Sequence, residues 1–96
     1  MTRPKRHRRI NFDPEITYFK PRGVPLSNLT ETDISIDELE ALRLKYQENK
    51  NNEEGAKEMH ISSSTFQRLL VSGIKKITES LTKGKAIKIH KSININ

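Results

Sequence analysis

Three stretches of the chain repeat apolar residues at helical spacing. Leu39, Leu42 and Tyr46 fall at i, i+3 and i+7 behind Ser35-Ile36-Asp37-Glu38, a capping box in which serine and glutamate satisfy each other's backbone donors. An amphipathic helix is predicted from residue 36 to about Glu48, where Asn49-Lys50-Asn51-Asn52 ends it with turn-forming residues. A short helix over 53–59 follows, with Asn52 as its expected cap. A long one over roughly 63–82 is capped by Ser62, with Phe66, Leu69, Leu70, Ile74, Ile77 and Leu81 as its apolar stripe. Gly84 is placed to terminate that helix.

The rest of the pattern is extended. Prolines at 14, 21 and 25 exclude a helix over residues 11–34. Ile16-Thr17-Tyr18-Phe19 has the β-branched and aromatic content of a short strand, and Ala86-Ile87-Lys88-Ile89 alternates like another. Pairing between 16–19 and 86–89 would tie the two ends together. The expected fold is therefore mainly α: a single three-helix domain over 11–91, a basic flexible arm over 1–10 and a frayed tail over 92–96.

The second and third helices have the spacing of a helix-turn-helix. Counting Asn52 as position one, Ala56 is position five, where only a small side chain fits between the helices. Met59 and Ile61 close the wedge from either side of the turn, and Phe66 and Leu69 insert the second helix into the shared core. His60 stands where glycine is usual, because the turn needs a positive φ that histidine tolerates better than most residues. Gly55, inside a helix, costs about 1 kcal/mol against alanine and is explained only by close packing.

The outward face of the long helix carries the candidate chemistry. Ser62, Ser63, Ser64, Thr65, Gln67 and Arg68 present hydroxyls, an amide and a guanidinium where a recognition helix meets the major groove. Arg68 suits guanine and Gln67 adenine, while Lys75 and Lys76 lie further along, placed for phosphates. Arg3, Lys5, Arg6, Arg8 and Arg9 make the arm a second contact. Such arms reach into a narrow minor groove or grip a polyanion without specificity.

Charge distribution supports that reading. Residues 1–22 carry seven basic and two acidic side chains, residues 23–60 four and nine, and residues 61–96 seven and one. Basic ends around an acidic middle suggest a polyanion held at two places, with the acidic helix kept off it. With 96 residues, 32% of them apolar, the core is modest and a deep substrate cavity is not expected. No cysteine is present, and His7, His60 and His90 have no ligand spacing, so no cofactor, metal site or enzymatic activity is expected. The absence of cysteine, of a long apolar run and of a signal-like start points to the cytoplasm, with no membrane partner.

The chain also resembles a family of small, uncharacterised prokaryotic proteins with a helix-turn-helix similar to the fourth region of sigma factors. The resemblance runs through Arg3-Pro4, the basic run to Arg9, Thr17-Tyr18-Phe19-Lys20-Pro21 and Gly23-Val24-Pro25-Leu26. It continues in DELEALRL at 37–44, STFQRLL at 64–70 and Gly84-Lys85-Ala86-Ile87. It implies DNA binding and transcriptional control. The usual pattern has a cysteine near His7, missing here, so the arm is expected to have no metal or redox role. The segment NKNNEEGAKEM departs from a family pattern richer in alanine and arginine.

Sequence-specific binding of double-stranded DNA by a transcriptional regulator is the reading these features favour, and a homodimer on paired half-sites is compatible with it. Two alternatives stay open. One is an RNA-binding or ribosome-associated basic protein, although RNA readers lean on exposed aromatics that are few here. The other is a module that docks on RNA polymerase through the acidic helix.

Overall fold

A computed structural model describes residues 8–91. The long helices form where the caps stand. α1 (Ile36–Leu42) begins at the Ser35 capping box, with Glu38 returning a carboxylate bond to the Ser35 amide. α2 (Asn52–Met59) begins one residue earlier than expected. Asn51 is its cap, in a second capping box with Glu54, and Asn52 is its first residue. α3 (Ser63–Lys83) is capped by Ser62 and ends at Gly84, which sits at φ 68° in the left-handed region.

The turn between α2 and α3 takes the strain expected of it. His60 lies at φ 59°, and its amide bonds to the Lys57 carbonyl. The Ile61 amide reaches back to the Ala56 carbonyl at 3.0 Å. These are the two bonds of a Schellman cap, which ends α2 and starts the chain back after three residues. The turn between α2 and α3 is therefore closed by its backbone as well as by its core.

A small mixed sheet holds the ends of the domain. β3 (Ala86–His90) is its middle strand. β1 (Tyr18–Phe19) runs antiparallel to it, with Tyr18 opposite Lys88 and Phe19 opposite Ile87. β2 (Glu31–Ser35) runs parallel to it, in a register from Glu31 opposite Ala86 to Ser35 opposite His90. The pairing of the two ends occurs where the sequence placed it, over a shorter first strand. β2 was not foreseen. Its one buried apolar side chain is Ile34, too little for a recognisable alternation, and its place is set by β3 and by leading straight into α1.

Phe66 and Met59 are fully buried, with Ile34, Ala41, Leu44, Ala56 and Leu70 around them. Of the predicted helix-turn-helix core, Ala56, Met59, Phe66 and Leu69 are buried and Ile61 is partly buried against them. Leu39 and Ile77 of the predicted stripes are partly buried, and three further members are exposed. Tyr46 is 60% exposed, because α1 passes into a π-helical turn over Arg43–Gln47 whose wider winding rotates it off the 3.6-residue stripe. Ile74 is 42% exposed and Leu81 74%. In the last turns of α3 the buried position belongs instead to Ser80, whose hydroxyl donates to the Lys76 carbonyl at 2.8 Å.

Gly55 now has its reason. A Cβ built there would stand 2.3 Å from the Phe66 ring, so the aromatic ring lies flush on the backbone of α2. Replacing Gly55 with alanine is therefore expected to destabilise the domain by about 1–3 kcal/mol through overpacking, against the roughly 1 kcal/mol that helix propensity alone would add. Urea denaturation of the two proteins checks the sign.

Candidate nucleic-acid interface

The first turns of α3 are ordered by their own side chains. The Ser62 hydroxyl accepts from the Thr65 amide at 3.1 Å and donates to the Thr65 hydroxyl at 2.9 Å. Thr65 in turn accepts from Arg68 Nη2 at 3.1 Å, which holds the guanidinium along the helix one turn on. Phe66, Leu69, Leu70 and Gly73 are buried, so the residues between them face outward. Ser62, Ser63, Ser64, Gln67, Arg68 and Lys75 are all exposed, and Thr65 is half-buried. A groove of about 560 Å³ runs beside this face, lined by Arg8, Glu38, Thr65, Gln67, Arg68, Ser72 and Lys75 among others.

The acidic residues of α1 are not exposed on that surface, although Glu38 lies in the wall of the groove. Asp37, Glu38 and Glu40 are fully buried, and each carries a cation. Arg8 pairs with Asp37. Arg43 grips Glu40 with two nitrogens, at 2.7 and 3.1 Å, while the Asn11 amide donates to the same carboxylate at 2.9 Å. Lys76 reaches Glu38 at 2.9 Å, and the Ser72 hydroxyl donates to that carboxylate as well. A carboxylate buried without a partner would be costly, and these are all satisfied. Burial alone would push the Glu38 carboxyl up. The bonds from Ser72, the Ser35 amide and Lys76, with the Lys76 charge, outweigh it and hold the group below the usual glutamate range.

This arrangement redistributes the predicted basic residues. Lys76, expected on a phosphate, clamps α3 to α1. Arg8, expected in a flexible arm, is 13% exposed and fixed on Asp37. Arg9 is exposed, but its amide donates to the Met59 carbonyl at 3.0 Å and its Nε to Asn11 at 3.0 Å. Ile10 and Phe12 pack against the core, and the Arg43 guanidinium lies 5.1 Å from the Phe12 ring centre. Residues 8–10, expected in the arm, are thus packed on the domain, and they run past the end of α2 beside the outward face of α3. Arg3, Lys5 and Arg6, with the tail at 92–96, lie outside the described residues.

Sequence reasoning missed the partners of α1. The capping box placed Asp37 and Glu38 at the start of α1, and only contacts 29 to 38 residues away show them to be interior. Among the described residues no three His, Asp or Glu side chains are grouped as a metal site. No helix there is long and apolar enough to cross a membrane.

Fold and site together define a small three-helix domain whose mixed three-stranded sheet joins its two ends. The chain belongs to the family described as "Protein of unknown function DUF134", whose model matches residues 1–93. A protein of Halothermothrix orenii is 46% identical over 88 residues, which cover 92% of this chain and 65% of the relative. One of Desulforudis audaxviator is 46% identical over 89 residues, 93% of this chain and 58% of the relative. One of Dehalococcoides mccartyi is 47% identical over 89 residues, 93% and 76%. All three bear the name UPF0251 protein. The chain thus spans less than two thirds of the length of the first two of these relatives. No solved structure matches it significantly.

The Glu38 cluster makes stability pH-dependent. Its folded pKa is lowered, so its contribution is complete above the ordinary glutamate value of about 4.3 and is lost as pH falls through the folded value below it. Glu38→Gln is expected to lower stability at neutral pH and to flatten the acid limb of the curve. Denaturation midpoints measured from pH 7 down to pH 3 check both.

Proposed function

We propose that this domain binds double-stranded DNA sequence-specifically, with α3 in the major groove, and serves as a transcriptional regulator. The observation that carries the proposal is the one-sided chemistry of α3. Its inner face is clamped by Phe66, Leu69 and Gly73, while Ser64, Gln67, Arg68 and Lys75 stand exposed on the other side with side chains suited to base edges and phosphates. The polyanion would meet no bare carboxylate of α1, because all three buried ones are neutralised by Arg8, Lys76 and Arg43.

Two basic side chains on this face are kept for a ligand in different ways. Arg68 is braced by Thr65 at an angle set by the helix, which suits a planar contact to guanine. Lys75 lies two turns further along and is exposed, the position of a phosphate contact.

Selection from a random duplex library tests the proposal and is expected to return a defined consensus, symmetric if two copies bind. On that site Arg68→Ala should weaken binding by about 1–3 kcal/mol and relax one base preference, whereas Lys75→Ala should weaken all sequences alike and reduce the salt slope by about one. Preference for RNA hairpins over the selected duplex at moderate salt would favour the RNA-binding alternative instead.

A further inference from the structure

Gln67 is not a free reader. Its Oε1 accepts from Asn52 Nδ2 at 2.6 Å, and Asn52 Oδ1 accepts from Lys45 Nζ at 2.9 Å. The chain links three elements: the π-helical turn after α1, the first residue of α2 and the second turn of α3. It exists because Asn51, not Asn52, caps α2, which leaves the Asn52 side chain to reach across to α3.

The order of donors along this chain is fixed by chemistry. An amide can turn end for end with almost no change in shape, so Asn52 and Gln67 alone could bond in either sense. A lysine ammonium has only donors. Lys45 therefore draws the oxygen of Asn52 towards itself, the Asn52 NH2 faces Gln67, and the Gln67 oxygen must turn inward to accept. What Gln67 offers outward is its Nε2 donor.

We infer that Lys45 and Asn52 are positioning residues that set the hydrogen-bonding sense of Gln67, making it a reader of an acceptor edge, guanine in the major groove. Adenine, the partner expected from residue type alone, needs the glutamine oxygen as well as the nitrogen; guanine presents two acceptors side by side. The inference rests on the DNA-binding proposal and deepens it.

Asn52→Asp tests it. A carboxylate at 52 accepts from Lys45 and from Gln67 alike, so Gln67 must reverse, donate inward and present its oxygen outward. Aspartate in the first turn of a helix is favourable, and the site lies outside the core, so folding should be kept. Base preferences are read by selection on the wild type, Asn52→Asp, Lys45→Met and Gln67→Ala. Gln67→Ala locates the base pair concerned. At that pair Asn52→Asp is expected to change guanine to adenine or cytosine, by about tenfold or more in relative affinity, with the other positions unchanged. Lys45→Met should blur the preference there without reversing it. The added negative charge weakens all sequences together and so does not imitate a change at one pair. A guanine preference that survives Asn52→Asp, or a pair where the wild type already prefers adenine, overturns the inference while leaving DNA binding intact. A wild type with no sequence preference overturns both.

Discussion

The seat of the Phe66 ring on Gly55 decides how the rest of the domain is used. A ring can lie that close to a helix backbone only where no Cβ intervenes, and the contact brings α3 against α2 just after the turn. Gly73 has the corresponding role against α1, where a Cβ would come within 2.9 Å of Leu42. Clamped at both points, α3 has one face committed to the core. On the opposite face Ser63, Ser64, Gln67, Arg68 and Lys75 stay exposed beside the apolar Val71.

Electrostatics then separate two populations of basic residues. Arg8, Arg43 and Lys76 are bound to the interior carboxylates of α1 and hold elements together: the entering chain, the π-helical turn and α3. Arg68 and Lys75 are not bound to a carboxylate in this way and face outward. The net basic charge of the sequence thus overstates what a polyanion would meet near α1 and understates how well placed the remainder is. The Arg8–Asp37 pair also holds Arg8 at the wall of the groove that Arg68 and Lys75 line.

Much of this was legible in the residues. Ser35, Ser62 and Gly84 marked helix ends correctly, and the spacing of Ala56, Met59, Phe66 and Leu69 identified the two-helix core. His60 took the left-handed conformation its position demanded. Most of the failures share one cause, which is that they depend on contacts distant in sequence. β2 is a strand because β3 lies beside it. Asp37 and Glu40 are interior because Arg8 and Asn11 return to them. Gln67 is oriented by Lys45 through Asn52. Tyr46 and Leu81 fitted a helical stripe, but the π-helical turn and the length of α3 carry them beyond the core that the stripe implied.

The most direct measurement of the central claim is a map of backbone amide shifts as the full chain is titrated with a duplex obtained by selection. If the outward face of α3 is the reading surface, the largest changes fall between Ser62 and Lys75 and at Arg8 and Arg9, with β1 and residues 26–28 unmoved. Changes centred on the sheet or on the exposed end of α3 around Leu81, or no change with any duplex, would contradict it.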